Sequence, residues 1–254
     1  PDVCVLANNH ILDFGTDGLA DTLRVLADAE IPCAGAGLDA EQAHRPVVTE
    51  TDGGRVICVA AGMKSSGVPG SWAATENRPG VAFVSDMSKR TATEIADGAL
   101  ALKRAGDVAV ASLHWGSNWG YDIDSSQRHF AHHLIDGGID VVYGHSSHHP
   151  RPIEVYRGKL ILYGCGDLVN DYEGIGGYHA YRGELRLMYF VSVDPASGRL
   201  IALRMVPMRE VSMRLQRAAR GDAEWMRTTL EDTSRGFGTR IETEADGVLA
   251  VRER

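Results

Sequence analysis

Three apolar, strand-like runs in this chain each stop at residues able to bind a metal, and that recurrence narrows the folds open to it. Leu6-Ala7 gives way to Asn8-Asn9-His10, Ser112-Leu113 to His114, and Val142-Tyr143 to His145, with His148 and His149 close behind. Helical segments lie between them. Thr16 is placed to cap a helix over Asp17 to Ala29, with Leu19, Leu23 and Leu26 on its apolar face, and Ile31 to Ala34 reads as the next short strand. Ser88 is placed to cap a helix running to about Arg104. Asp107 to Leu113 is nearly all apolar, as a strand covered on both faces is. A helix over Ser126 to Asp136 then leads to a strand at Asp140 to Tyr143. This is the α/β rhythm, and in α/β sheets ligands collect at the carboxyl ends of strands. The three histidine-bearing strand ends are therefore expected on one rim.

The remaining elements are hairpins and a long loop. Pro46 to Thr51 and Arg55 to Ala61 flank Asp52-Gly53-Gly54. Ile153 to Tyr156 and Leu160 to Tyr163 flank Arg157-Gly158-Lys159. Glu184 to Asp194 and Arg199 to Pro207 flank Pro195 to Gly198. Gly62 to Val84, rich in Gly, Pro, Ser and Asn, is expected to be a long surface loop. Val211 to Leu230 is expected to be an amphipathic helix. No repeat or linker interrupts the chain, so residues 1–254 are expected to form one α/β domain around a layered sheet. Pro1 runs straight into the apolar Val3-Cys4-Val5-Leu6-Ala7. An N-terminal piece, with any targeting signal, is accordingly expected to be absent from this sequence.

Composition excludes some functions. No apolar run approaches the roughly 18 residues of a membrane span, so the segment is expected to be soluble. We expect it to be cytoplasmic, or extracytoplasmic if a lost N-terminus carried a signal or anchor. A formal charge of −8 argues against nucleic acid as a partner. Cys4, Cys33, Cys58 and Cys165 show no CxxC spacing and read as buried thiols. Seven of the ten histidines fall between His114 and His149, which concentrates the chemistry there.

Imidazole nitrogen with amide or carboxylate oxygen suits a divalent ion such as Mn, Fe or Zn. His10 and Asp13 have the spacing for a carboxylate to orient an imidazole as a proton donor, or for Asp13 merely to cap the turn. Asp167, Asn170, Asp171 and Glu173 follow a strand in a Gly-rich turn. They are candidates for metal binding, for orienting histidines or for contacting substrate. Cys165 between two glycines has no partner histidine implied nearby. His129, His132 and His133 lie on a helix without the Glu of an HExxH motif and read as surface or packing residues. Trp115, Trp119 and Tyr121, just beyond His114, form either an aromatic wall over the site or a packed loop.

Taken in order, Ala7-Asn8-Asn9-His10-Ile11-Leu12-Asp13-Phe14-Gly15, Ser112-Leu113-His114-Trp115-Gly116, Gly144-His145-Ser146-Ser147-His148 and Ile153 to Tyr163 resemble the CapA/PgsA family of bacterial capsule and poly-γ-glutamate synthesis. The resemblance covers residues 1–172. It implies a fold similar to the calcineurin-like metallophosphoesterases, a two-sheet sandwich flanked by helices in four αββα layers. It implies Asn9, His114, His145 and His148 as metal ligands, His10 as proton donor with Asp13 as its partner, and two divalent ions in the complete site. Asn8, His149, Trp115, Asp167, Asn170 and Asp171 are then substrate or supporting residues. Two departures matter. The family's metal-bridging Asp on a preceding strand has no counterpart here, and Gly164-Cys165-Gly166-Asp167 stands where many relatives have a Ser-Leu-Gly-Asn-like turn. The implied activity is hydrolysis of a phosphoester or amide bond. The alternatives are epimerisation of a ribosomal peptide, or a non-catalytic accessory role in polymer synthesis or export. The implied partner is a peptide, polyglutamate or a phosphoester.

Overall fold

The computed structural model describes residues 1–170 and 175–253. Asp171 and Glu173, named above as candidates, lie outside the described residues. The chain forms two compact units. The first comprises 1–116, 124–144 and 195–198, and the second 117–123, 145–194 and 199–254.

The first unit contains β1 (Cys4–Val5), α1 (Gly15–Asp28), β2 (Cys33–Ala34), β3 (Ala36–Gly37), α2 (Ala40–His44), β4 (Val47–Thr51) and β5 (Gly54–Met63). It continues with β6 (Gly80–Val81), β7 (Phe83–Val84), α3 (Lys89–Leu100), β8 (Val108–His114), α4 (Ser125–Asp136) and β9 (Val141–His145), whose last residue passes into the second unit. The sheet order is β9-β8-β5-β4, with β7 also on β5. β5 and β8 run parallel, Val56 opposite Val108 through Gly62 opposite His114. β8 is buried almost throughout, as its apolar run requires. Leu19 and Leu23 of α1 close a small core with Leu6 and Ala36, with Leu26 packed at its edge. Gly35 has φ +95°, and a Cβ there would lie 2.6 Å from the Ala7 Cβ, so only glycine fits between the first strand and the sheet. Ser88 caps α3 by accepting from the Thr91 N–H at 3.2 Å, as expected.

Two expectations fail in this unit. Thr16 is not the cap of α1. The helix begins at Gly15 with no side-chain cap, its first turn closed by the Gly18 N–H donating to the Phe14 carbonyl at 3.3 Å. Gly62 to Val84 is not a surface loop. Val68, Val81 and Ala82 are fully buried, Val68 and Val81 join Ala7 in a core cluster, and β7 pairs parallel with β5. Isolated Val and Phe residues among the glycines and prolines fasten a segment whose composition reads as loop.

The second unit contains β10 (Ile153–Tyr156), β11 (Lys159–Leu162), β12 (Leu185–Val193), β13 (Leu200–Val211), β14 (Arg214–Arg217), α5 (Arg220–Ser234), β15 (Thr239–Thr243) and β16 (Leu249–Glu253). β10 and β11 are an antiparallel hairpin. A second sheet has the order β12-β13-β16-β15, with β14 on β13. The helix expected over Val211 to Leu230 is broken at its start. Ser212 and Met213 both take left-handed φ (50° and 58°) and turn the chain back, so that Val211 pairs with Arg214. A two-residue turn of this kind usually carries Asn or Gly, and neither is present to announce it. α5 follows only at Arg220.

All four cysteines are free thiols. Cys58 and Cys165 are buried as expected, while Cys4 and Cys33 are half-buried. Burial pushes the Cys58 thiol up to about 11, and burial with the neighbouring Cys4 raises Cys33, which keeps these two protonated at neutral pH. Among the described residues no helix is long and apolar enough to cross a membrane.

Candidate functional site

In the first unit the turn after β1 is built by its own side chains. Asn8 Oδ1 accepts from the His10 N–H at 2.8 Å, and the Asp13 N–H donates to the His10 carbonyl at 3.0 Å. This places His10 Nδ1 2.7 Å from Asp13 Oδ2, with the imidazole 75% exposed. An acceptor-only carboxylate fixes the Nδ1–H tautomer and leaves Nε2 facing outward chemistry.

Asn9 meets His114 from the end of β8. His114 Nε2 and Asn9 Oδ1 are 2.9 Å apart, although the residues are 105 positions apart in sequence. Both are braced by the segment after β5. The Ser66 hydroxyl lies 2.6 Å from the His114 carbonyl, and Ser65 Oγ accepts from the Gly116 N–H at 3.1 Å. Gly67, with φ +82°, comes so close to the Asn9 amide that a Cβ there would sit 3.4 Å from Nδ2. These bracing residues were missed in the sequence, because they belong to the segment that reads as loop.

In the second unit His148 Nδ1 lies 3.0 Å from Asp167 Oδ2, and Asp167 Oδ2 also accepts from Asn170 Nδ2 at 3.2 Å. A carboxylate on one imidazole nitrogen leaves the other with its lone pair, as in metal-binding histidines. The His148 N–H donates to the Asn118 carbonyl at 3.1 Å, and Asn118 Nδ2 stands 3.5 Å from His148 Nε2. His145 is half-buried at the end of β9. Ser146, next to it, has φ +121°, a strained backbone of the kind that collects at functional sites. Gly164 is explained by contact. A Cβ there would sit 2.4 Å from Ser147 Oγ, so the Gly-Cys-Gly-Asp turn and the His145–His148 segment pack closer than any side chain allows.

His149 is 1% exposed. Its Nδ1–H donates to the Pro150 carbonyl at 3.0 Å, and its Nε2 has no hydrogen-bond partner among the described residues. Burial pushes its pKa down to about 4, with Arg151 and His148 adding to the effect and the Pro150 carbonyl and Asp167 opposing it. Between about pH 4 and 6.5 the unfolded chain therefore binds a proton that the folded chain does not. Stability is full above pH 6.5 and falls as pH drops toward 4. We expect a loss of about 2–3 kcal/mol between pH 7 and pH 4.5 in urea denaturation, and a shallower slope in His149→Phe.

Of the two readings open for the aromatics after His114, Trp115 takes the packed one. It is 1% exposed and packs edge-on to Phe130 at 6.3 Å, so it offers no face to a substrate. Trp119 has different neighbours. It stacks on His149 at 5.8 Å and lies 5.4 Å from the His148 ring.

A divalent ion holds cis ligands at about 2.1 Å each, which puts their donor atoms about 3 Å apart. The Asn9–His114 separation of 2.9 Å fits, and so does an imidazole whose far nitrogen is held by Asp167. Oδ1 can only accept, so Nε2 of His114 carries the proton here, and a metal at Nε2 would require the tautomer with the proton on Nδ1. Among the described residues no group of three or more His, Cys, Asp or Glu stands ready to hold a metal.

Residues 1–172 match the family described as bacterial capsule synthesis protein PGA_cap. The chain is 56% identical over 253 residues to a probable polyglutamine synthesis accessory protein of Mycobacterium tuberculosis, covering 99% of this chain and 67% of that protein. It is 32% identical over 171 residues to the PGA biosynthesis protein CapA of Bacillus subtilis, covering 65% of this chain and 41% of the relative. The capsule biosynthesis protein CapA of Bacillus anthracis is 28% identical over 166 residues, covering 65% of this chain and 39% of its own length. A mixed α/β chain of several sheets flanked by helices is consistent with the CapA and metallophosphoesterase-like fold. The match spans both the Asn9–His114 pair and the His145–Asp167 segment, and the chain belongs to the bacterial capsule synthesis protein PGA_cap family.

Proposed function

We propose that the chain is a metal-dependent hydrolase acting on a phosphoester or amide bond in capsule or polyglutamate synthesis. The observation that carries the reading is the Asn9–His114 pair, a nitrogen and an oxygen donor held at ligand spacing by strand ends far apart in sequence. Within the first unit Asn9 and His114 would be ligands, within the second His145 and His148 would be, and Mn, Fe or Zn suits such donors. A divalent ion bound there would supply Lewis-acid chemistry, activating water and stabilising developing negative charge. Asp167 holds His148 in the tautomer that leaves Nε2 basic. Asp13 holds the His10 Nδ1–H, and in the imidazolium form His10 would give its Nε2 proton to the leaving group while keeping the one on Nδ1.

The test is hydrolysis of bis-p-nitrophenyl phosphate and of poly-γ-glutamate by the metal-reconstituted chain. The expected result is turnover that falls about 10²–10⁴-fold in His10→Ala with metal content unchanged. Absence of turnover on both substrates overturns the hydrolase. α-Proton exchange into a peptide without cleavage would replace it with epimerisation. A second reading is favoured by the name of the mycobacterial relative, an accessory protein of polymer synthesis. In that reading the same side chains hold polymer without cleaving it.

A further inference from the structure

The second unit carries a cluster of four rings, in which Tyr181 also lies 5.4 Å from Trp119. Tyr181 stacks on His149 (4.6 Å between centroids, 27° between planes), His149 on Trp119 (5.8 Å, 16°) and Trp119 on Tyr178 (4.1 Å, 6°). The cluster is closed on the inside, where His149 is buried and Tyr121 meets its ring nearly edge-on at 4.8 Å. It is open at the outside. Tyr178 is 43% exposed with one face covered by Trp119, so its other face is the one left to solvent. Tyr178 borders a cleft of about 320 Å³ whose walls also include Ile175, Gly176, His179, Arg182, Gly183 and Glu184.

Arg182 and Glu184 are fixed beside that ring. Arg182 Nε and Nη2 both donate to Glu184 Oε1 (3.1 and 2.9 Å), Nη2 donates to Asp222 Oδ1 (2.7 Å), and the guanidinium lies 5.4 Å from the centre of the Trp225 ring. Arg182 Nη1 and Glu184 Oε2 have no hydrogen-bond partner among the described residues. The cleft thus sets an open donor and an open acceptor beside a flat apolar face that a rigid stack supports.

The geometry points to a binding site for a pyranose ring of a glycan. A sugar has an apolar C–H face to lay on Tyr178, and hydroxyls that donate and accept at once, matching Glu184 Oε2 and Arg182 Nη1. A polyanion is disfavoured, because two carboxylates, Glu184 and Asp222, already neutralise Arg182. An aromatic side chain would want apolar walls, and beside Ile175 this cleft offers His179, a charged pair and glycines. The site does not rest on the metal reading, since Tyr178 and Glu184 are not among the proposed ligands.

The experiment is calorimetric titration of the full chain with chitotetraose and with cellotetraose, followed also by tryptophan fluorescence. Saturable binding to at least one of them is expected. Tyr178→Ala should weaken it about tenfold, Tyr178→Phe should leave it nearly unchanged, and Glu184→Gln should weaken it about tenfold. Circular dichroism of the exposed-site variant Tyr178→Ala should match the parent. The inference is overturned if neither sugar binds, or if Tyr178→Ala binds as the parent does. It is also overturned if poly-γ-glutamate or N-acetyltryptophanamide binds at Tyr178 in place of sugar.

Discussion

Arg186→Met is expected to destabilise the protein by about 3–5 kcal/mol, read as a lower denaturant midpoint. Arg186 is fully buried on β12, and its Nη2 donates to Glu210 Oε2 at 2.7 Å, with the Glu210 side chain only 6% exposed. Its Nη1 donates to the Gly183 carbonyl. Methionine fills much of the volume but leaves the Glu210 carboxylate without its counter-charge in a poorly solvated place. The cost therefore comes from the partner left behind, more than from the bond lost. Removing both charges, as Arg186→Met with Glu210→Leu, should recover most of the stability, because desolvation of a buried pair nearly cancels its attraction. A double variant as unstable as the single one would contradict this.

Asp140→Ala should cost about 3 kcal/mol or more for the same reason, in the first unit. Asp140 is 1% exposed just before β9. Its Oδ2 accepts from the Ala109 N–H at 2.8 Å and from Lys103 Nζ at 2.5 Å, while its own N–H donates to the Ala109 carbonyl at 2.8 Å. Alanine leaves the Ala109 amide without its acceptor and the Lys103 ammonium without its counter-charge, with the Gly138 carbonyl at 3.2 Å as its remaining partner. Asp140→Asn keeps an acceptor for the amide and should lose about 1–3 kcal/mol. Denaturation of the two variants side by side separates the charge from the hydrogen bond. Equal losses in both would contradict the assignment.

The elements legible in the sequence were those whose period and ends agree. β8 is a continuous apolar run ending on a histidine, α3 starts at a serine cap, and the β4–β5 and β10–β11 hairpins turn at glycine-bearing loops. The strand-end rule also brought Asn9 and His114 onto one list before any contact was known, and they meet. What stayed hidden depended on tertiary contact. Val68 and Val81 are single apolar residues in polar surroundings, and only packing against Ala7 shows that they are core. The turn at Ser212-Met213 takes left-handed backbone without the residues that favour it. Trp115 and Trp119 lie four positions apart in one stretch, yet the first is buried against Phe130 and the second stacks on His149. Asn118 reaches His148 with nothing in its local sequence to signal it.

The metal reading is the centre of this account, and elemental analysis of the purified, reconstituted chain tests it most directly. The comparison sets the parent chain beside Asn9→Ala with His114→Ala, and beside His145→Ala with His148→Ala. The account predicts about one to two equivalents of Mn, Fe or Zn in the parent, reduced in each double variant while its circular dichroism is retained. A parent chain that holds no metal after reconstitution, or one whose metal content neither double variant alters, would contradict it.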